Sequence, residues 1–281
     1  LMGITHVIRG TEYLSSTPKY NLIYDAFGWE RPKYMHLPPI MKDATRKLSK
    51  RFGDANFEDF IAKGYLPEAV VNYIALLGWC PKDNKEKMTM QEMIEAFDVD
   101  GISHSSSIFD EAKMRWLNGE YLKAMSEEDF EKVATPWIEK SIDKKDYDIK
   151  ELASLMQTRV DILSEIPEKL AFLNEFGDYD LGMYVHQKMK VDKDVALKAI
   201  EVSLDALKDF EDWSADAIKE QIKTCAEQAG MKGGQVMFCM RVALTGAPVT
   251  PGGAIEMAMV LKKDETLRRL KYSLELLKNA R

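Results

Sequence analysis

The stretch that decides the fold class runs from residue 192 to residue 209 and reads DKDVALKAIEVSLDALKD. Its apolar residues recur at intervals of three and four, which is typical of a helix that buries one face. The same periodicity recurs from Asp148 to the end of the chain, over 149–165, 167–175, 192–209, 215–229, 235–245, 252–262 and 264–279. The sequence therefore predicts a mainly α-helical protein after residue 53.

Strand patterns are confined to the first 53 residues. Residues 4–8 are rich in β-branched side chains, which favour a strand that ends at Arg9 and Gly10. Ser16, Thr17 and Pro18 form a helix start signal, and Gly28 is expected to end that helix. Residues 34–40 indicate a second short strand that two prolines close. The opening of the chain therefore predicts the order strand, helix, strand.

Helix start signals also recur between residues 54 and 147. They are Asn56, Pro67, Asp110, Ser126 and the pair Thr89 and Glu92. In that pair the hydroxyl and the carboxylate each accept a hydrogen bond from the other residue's backbone amide, which is a capping box. Helices are therefore predicted here too.

The composition is that of an ordinary soluble globular protein. Of its 281 residues, 46% are hydrophobic and 30% are charged, and no apolar run is long enough to cross a membrane. The three cysteines lie far apart, which predicts a reducing compartment, here the cytoplasm. The net charge of −7 is uneven, because residues 1–53 and 262–281 are basic. Strong general binding to nucleic acid is therefore excluded, but binding through local basic patches is not.

The densest group of cations lies at residues 47–51, directly after Arg46. Lys47 and Lys50 are spaced to reach opposite sides of a triphosphate and to neutralise the charge that builds on leaving pyrophosphate. Ser49 and the loop amides add donors, and Arg51 adds a further cation. Spacing alone favours an exposed basic loop without a role, because short basic runs are common.

Arg9 and Glu12 follow the first predicted strand, where ligands bind in open α/β sheets. Arg9 is suited to a bidentate contact with a carboxylate, and Glu12 to accepting hydrogen bonds from ribose hydroxyls or an amine. A surface ion pair is the alternative. His36 is expected to be packed and hydrogen-bonded rather than catalytic, and no histidine has the spacing of a metal ligand.

Short motifs follow one another along the whole chain. The first reads HVIRGTEYLSSTPK at 6–19, and HLP at 36–38 and KLSKR at 47–51 come next. In this order the chain resembles the bacterial-type glutamyl-tRNA synthetases, whose class I "KMSKS" loop is similar to residues 47–51. The resemblance continues through GYLPEA at 64–69, ALLGW at 75–79, IFD at 108–110, WLNG at 116–119, QTRV at 157–160, RVALTG at 241–246, PG at 251–252 and ETLRR at 265–269.

The resemblance implies an enzyme that activates glutamate with ATP and Mg²⁺ and transfers it to the 3′ end of its tRNA. It implies that Arg9 contacts the carboxylate of the amino acid and that Glu12 contacts ATP. Thr11 departs from the acidic residue common at its position. The resemblance further implies that Lys50 meets the phosphates, with Lys47, Ser49 and Arg51 in support.

The family's His-x-Gly-His signature and its inserted acceptor-arm domain have no counterpart in this sequence. The chain is therefore expected to be a C-terminal portion that binds the glutamate tRNA as a monomer, has no zinc site and is inactive alone. The resemblance implies four parts: a remnant of the Rossmann-type catalytic domain at 1–53, a helical stem-contact domain at 54–125, and two anticodon-binding helical subdomains at 126–190 and 191–281.

Glutaminyl-tRNA synthetases share the logic of the first 53 residues, but their anticodon part is built of β-barrels. The helical pattern to the end of this chain therefore favours the glutamyl enzyme, and charging of the glutamine tRNA stays open.

Arg159, predicted on the polar side of an amphipathic helix, is the candidate for an anticodon contact, with a salt bridge to Glu151 or Asp161 as the alternative. The C-terminal cations Arg268, Arg269 and Lys271 are weaker candidates for contacts with the tRNA backbone. A free-standing tRNA-binding module without catalysis is the alternative function.

Overall fold

The computed structural model describes residues 2–48, 56–143, 146–174, 176–247 and 249–280. The chain divides into two compact units, Leu1–Ala124 and Met125–Arg281. Helices dominate both units, and the two strands of the described residues lie in the first unit. The prediction of a mainly α-helical chain is confirmed. The division into four parts at residues 53, 125 and 190 remains a prediction.

The first unit opens with the predicted order of strand, helix and strand. The elements are β1 (His6–Gly10), a 3₁₀ turn (Thr11–Ser16), α1 (Thr17–Ala26) and β2 (Lys33–Leu37). The two strands are parallel, with Arg9 opposite His36 and Gly10 opposite Leu37. The strand ends at Gly10, as predicted, but the predicted start at residue 4 was wrong, because pairing with β2 begins at His6.

The apolar residues of α1 are not covered by this unit. Leu22, Ile23 and Phe27 expose 67%, 46% and 64% of their surface, and α1 contains no buried residue. A two-stranded sheet is marginal by itself, and this one gains little from the helix. The strand–helix–strand segment therefore contributes almost nothing to the core of the first unit.

The rest of the first unit is helical, and its helices start at the predicted signals. The Thr89 and Glu92 capping box is formed, and the Asp110 carboxylate accepts a hydrogen bond from the amide of Lys113 at 3.0 Å. Caps of this kind are worth about 1 kcal/mol each. The helices are α2 (Phe57–Ala62), α3 (Pro67–Gly78), α4 (Met90–Ala96) and α5 (Glu111–Ala124).

The second unit contains helices throughout its described length. The helices α9, α11 and α12 pack against one another, and α6 packs on α7 and α8. The helices are α6 (Glu127–Ser141), α7 (Ile149–Gln157), α8 (Ile166–Leu170), α9 (Lys193–Leu207), α10 (Ala215–Gln228), α11 (Gly233–Thr245) and α12 (Ala254–Asn279).

The helix α12 is interrupted at Lys262, whose backbone is non-helical with φ 61°. This break matches the separate helices predicted over 252–262 and 264–279. Lys262 donates a hydrogen bond to the backbone carbonyl of Asp146 at 3.1 Å, which helps to hold the turn. A left-handed backbone is costly for a residue with a Cβ, so the packing of both helical halves must stabilise it.

Arg269 is the most unusual core residue of the second unit, because only 1% of its surface is exposed. Its Nη1 donates to the carbonyls of Phe172 and Leu244, both at 2.8 Å, and its Nε donates to Glu265 at 2.7 Å. Hydrogen bonding from Arg268 first, and from Arg269 as well, lowers the pKa of Glu265 to about 2. The expectation that Arg269 contacts the tRNA backbone was therefore wrong, since its guanidinium is enclosed by protein.

Candidate functional sites

A cavity of about 520 Å³ lies at the carboxyl ends of β1 and β2. It brings together three residues that the sequence singled out separately, Arg9, Glu12 and Lys47. Arg9 ends the strand β1, Glu12 lies in the 3₁₀ turn that follows, and Lys47 comes from the loop after β2. The carboxyl ends of parallel strands are where open sheets bind ligands, so this cavity is a candidate active site.

The guanidinium of Arg9 is held from several sides. Its Nε donates to His36 Nε2 at 3.3 Å and its Nη2 donates to Thr17 Oγ1 at 2.6 Å. The Arg9 Cζ atom also lies 5.2 Å from the ring centre of Tyr13, 5.2 Å from that of Tyr20 and 5.4 Å from that of Tyr34. His36 is thus hydrogen-bonded, as expected, and no acid of the described residues forms the surface ion pair considered for Arg9.

The carboxylate of Glu12 lies directly over Gly10. A Cβ atom added at Gly10 would come within 2.1 Å of Glu12 Oε2, so the glycine leaves room for this side chain to fold back towards the strand. Glu12 makes no ion pair with another described residue, which leaves its oxygens open to a ligand in the cavity.

The loop before residue 49 is built by backbone and carboxylate contacts. Met41 forms a bridge with Lys47, and the amide of Leu48 donates to the carbonyl of Ile40 at 2.9 Å. Asp43 binds Arg46, whose hydrogen bond holds the pKa of that carboxyl well below its usual range. Arg46 is therefore engaged, while Lys47 faces the cavity. The predicted catalytic residues Ser49, Lys50 and Arg51 lie outside the described residues.

A second cavity, of about 670 Å³, lies wholly within the unit Met125–Arg281. It is formed by α7 and the residues that follow it, the start of α10 and the first half of α12. Two cations and three acids line it: Arg159, Lys219, Glu151, Asp216 and Glu256. Burial, and next the charge of Asp148, raise the pKa of Glu151, while Lys262 lowers it. The groove thus offers both donors and acceptors and has no excess of positive charge.

Arg159 lines this groove, but it does not lie on a helix as predicted. The helix α7 ends at Gln157, and Arg159 follows in a turn whose amide donates to the carbonyl of Met156 at 2.8 Å. Periodicity missed this end because apolar residues continue at helical spacing through the turn and the following 3₁₀ segment (Leu163–Glu165). The side chain of Arg159 donates to the carbonyl of Leu155 and to Thr158 Oγ1. Among the described residues, no ion pair joins Arg159 to Glu151 or Asp161.

Two residues that hydrogen-bond to Arg9 were missed as functional candidates. Thr17 appeared in the sequence only as a helix start, and His36 only as a packed residue. The parallel register sets Arg9 opposite His36 and would have indicated their contact. That register is decided by pairing between strands, which a local sequence pattern does not show. In the part of the chain that the structure describes, no group of three or more His, Cys, Asp or Glu residues is arranged to hold a metal ion. No helix within the same residues is long and apolar enough to cross a membrane.

Two family descriptions match the chain, in the order in which its units occur. The catalytic domain of class I tRNA synthetases (E and Q) matches residues 1–116, and an anticodon binding domain matches residues 129–274. The glutamate–tRNA ligase of Clostridium acetobutylicum is 49% identical over 275 residues, which are 98% of this chain and 57% of that protein. The glutamate–tRNA ligase of Clostridium novyi is 49% identical over 283 residues, covering all of this chain and 58% of that protein.

Solved structures show the same likeness. A glutamate tRNA ligase from Elizabethkingia meningosepticum, crystallised with its amino acid, superposes with a TM-score of 0.84 at 31% identity, over 98% of this chain and 58% of that one. The glutamate-tRNA synthetase of Elizabethkingia anophelis gives 0.83 at 31% identity, over 98% and 57%. The chain thus spans a little over half the length of the relatives it matches. With both family descriptions matched in sequence and the architecture shared with these structures, the chain belongs to the glutamyl-tRNA synthetase family of class I tRNA synthetases.

Proposed function

We propose that the protein containing this chain is a glutamate–tRNA ligase, which activates glutamate with ATP and transfers it to the 3′ end of the glutamate tRNA. The observation that carries the proposal is the convergence of Arg9, Glu12 and Lys47 on one cavity at the carboxyl ends of two parallel strands. An arginine, a carboxylate and a lysine are the groups needed there for an amino-acid carboxylate, a nucleotide and its phosphates.

Each of the three residues has a role in this proposal. Arg9 binds a carboxylate of glutamate through two parallel N–H groups. Glu12 contacts ATP, and Lys47 supports Lys50, Ser49 and Arg51 where negative charge builds on the leaving pyrophosphate. The Mg²⁺ ion enters with ATP. It neutralises phosphate charge, and the described residues offer no separate protein cage for it.

The groove in the unit Met125–Arg281 is proposed to receive anticodon bases. Its three acids disfavour phosphate, while its mixture of donors and acceptors suits the edges of unpaired bases. Arg159 is the proposed base-reading residue, because its guanidinium lines the groove and forms no ion pair with an acid of the described residues. In this proposal the protein works as a monomer. It acts in the cytoplasm, together with the translation machinery.

Charging of tRNA tests this function in the full-length enzyme that contains this sequence. With ATP and Mg²⁺, radiolabelled glutamate should become bound to the glutamate tRNA, and labelled glutamine should not. Charging of glutamine instead would contradict the proposed substrate. Binding of the tRNA without charging of either amino acid would support a free-standing tRNA-binding module.

A further inference from the structure

The hydrogen bonds of Arg9 use one edge of its guanidinium completely. Arginine has five N–H donors in a planar fork. The Nε–H and one Nη2–H point along the same edge, and there they meet His36 Nε2 at 3.3 Å and Thr17 Oγ1 at 2.6 Å. These two acceptors lie only 3.2 Å apart, so together they match the spacing of the two parallel donors.

The other end of the guanidinium has no partner among the described residues. Both hydrogens of Nη1 and the second hydrogen of Nη2 remain, and Nη1 and Nη2 form the end-on pair that binds carboxylates bidentately. The rings of Tyr13, Tyr20 and Tyr34 surround the cation through their π faces, which hold it without taking an N–H group. Arg9 is thus fixed on one edge and open on the other.

The direction of each hydrogen bond follows from the donors. Arg9 Nε always carries its hydrogen, so His36 Nε2 must offer a lone pair, and neutral His36 must carry its proton on Nδ1. The Thr17 hydroxyl donates to the carbonyl of Tyr13 at 3.0 Å and accepts from Arg9 with its lone pair. Both residues act on Arg9 only as acceptors.

We infer that Thr17 and His36 are positioning residues, which hold Arg9 so that its Nη1–Nη2 end is presented to the carboxylate of glutamate. The inference rests on the proposed function, in which Arg9 binds that carboxylate. A guanidinium that is oriented before the substrate arrives loses less rotamer freedom on binding, so the effect of these residues appears in the affinity for glutamate.

A spectroscopic test uses the 281-residue chain itself. In chain labelled with ¹⁵N-histidine, His36 should show the Nδ1–H tautomer with a bare Nε2 at neutral pH. Arg9→Met should shift His36 towards the Nε2–H tautomer, while exposed His104 should keep its signals and serve as the internal control. An Nε2–H tautomer of His36 in the unmodified chain would overturn the inference.

A kinetic test separates this inference from the proposed function on which it rests. In the full-length enzyme, Thr17→Val should raise the KM for glutamate about 10-fold or more through the loss of one charge-assisted hydrogen bond, with kcat and the KM for ATP unchanged. Thr17→Ser keeps the hydroxyl acceptor, so its KM for glutamate should equal that of the unmodified enzyme.

The outcomes of the kinetic test are distinct. If Arg9→Lys leaves the KM for glutamate unchanged, the carboxylate role of Arg9 fails, and the proposed site fails with it. If Arg9→Lys raises that KM but Thr17→Val does not, Arg9 binds glutamate without help from Thr17, and only the positioning role is overturned. A Thr17→Val enzyme with equal losses for glutamate and ATP would indicate general damage to the site, which also overturns it.

Discussion

Replacing Arg269 by alanine is expected to lower the free energy of unfolding of the unit Met125–Arg281 by about 3–5 kcal/mol. The guanidinium is buried and joins three separate segments, through the carbonyls of Phe172 and Leu244 and the carboxylate of Glu265. It also lies 4.5 Å from the ring centre of Phe176. Its removal leaves two enclosed carbonyls without donors and a cavity between helices, both of which are costly.

Arg268 provides the matched control for this substitution. It binds the same carboxylate, but more than half of its side chain is exposed. Arg268→Ala should therefore cost no more than about 1 kcal/mol. Native-state hydrogen exchange of the slowest amides in α9 and α11 measures the stability of this unit separately from the first. If the two alanine variants lose the same free energy of unfolding, the buried contacts of Arg269 stabilise the unit no more than the exposed contact of Arg268.

Replacing Lys50 by alanine in the full-length enzyme is expected to lower the rate of adenylate formation by a factor of about 10²–10³. The expectation comes from the resemblance of residues 47–51 to the KMSKS loop. Charge on the leaving pyrophosphate develops only towards the transition state, so a lysine that stabilises it affects kcat more than the KM for ATP.

Pyrophosphate exchange that depends on glutamate and tRNA measures this step. Lys19→Ala is the control, since Lys19 is an exposed residue of α1 that does not line the cavity and its loss should leave the rate unchanged. A Lys50→Ala enzyme in which only the KM for ATP changes would show that the lysine holds the nucleotide without stabilising the transition state.

Local sequence signals predicted the fold well where the cause of the structure is also local. The capping box at Thr89 and Glu92, the cap at Asp110 and the break near Lys262 each depend on a few neighbouring residues. The end of α7 was missed, because its continuation as a helix or a turn depends on packing that periodicity does not record. The start of β1 was missed for the same kind of reason, since it depends on pairing with β2.

The same distinction between local and non-local causes applies to the residues of the candidate sites. Arg9, Glu12, Lys47 and Arg159 could be singled out from residue type and resemblance, and the structure gathers the first three around one cavity. The burial of Arg269 could not be foreseen, because the run of cations around it near the end of the chain is typical of a solvent-exposed helix face. The hold of Thr17 and His36 on Arg9 also joins residues from three elements, which no local pattern connects.

The proposal that the unit Met125–Arg281 reads an anticodon is tested most directly by binding of the 281-residue chain to the glutamate tRNA and to an anticodon-swapped variant over a series of salt concentrations. Contacts with phosphate weaken with salt for both tRNAs alike, whereas direct contacts with bases give a preference that persists. We predict that the chain prefers the glutamate tRNA at moderate salt, that Arg159→Gln reduces this preference, and that Arg268→Gln does not. Equal affinity for the two tRNAs at every salt concentration would contradict the account.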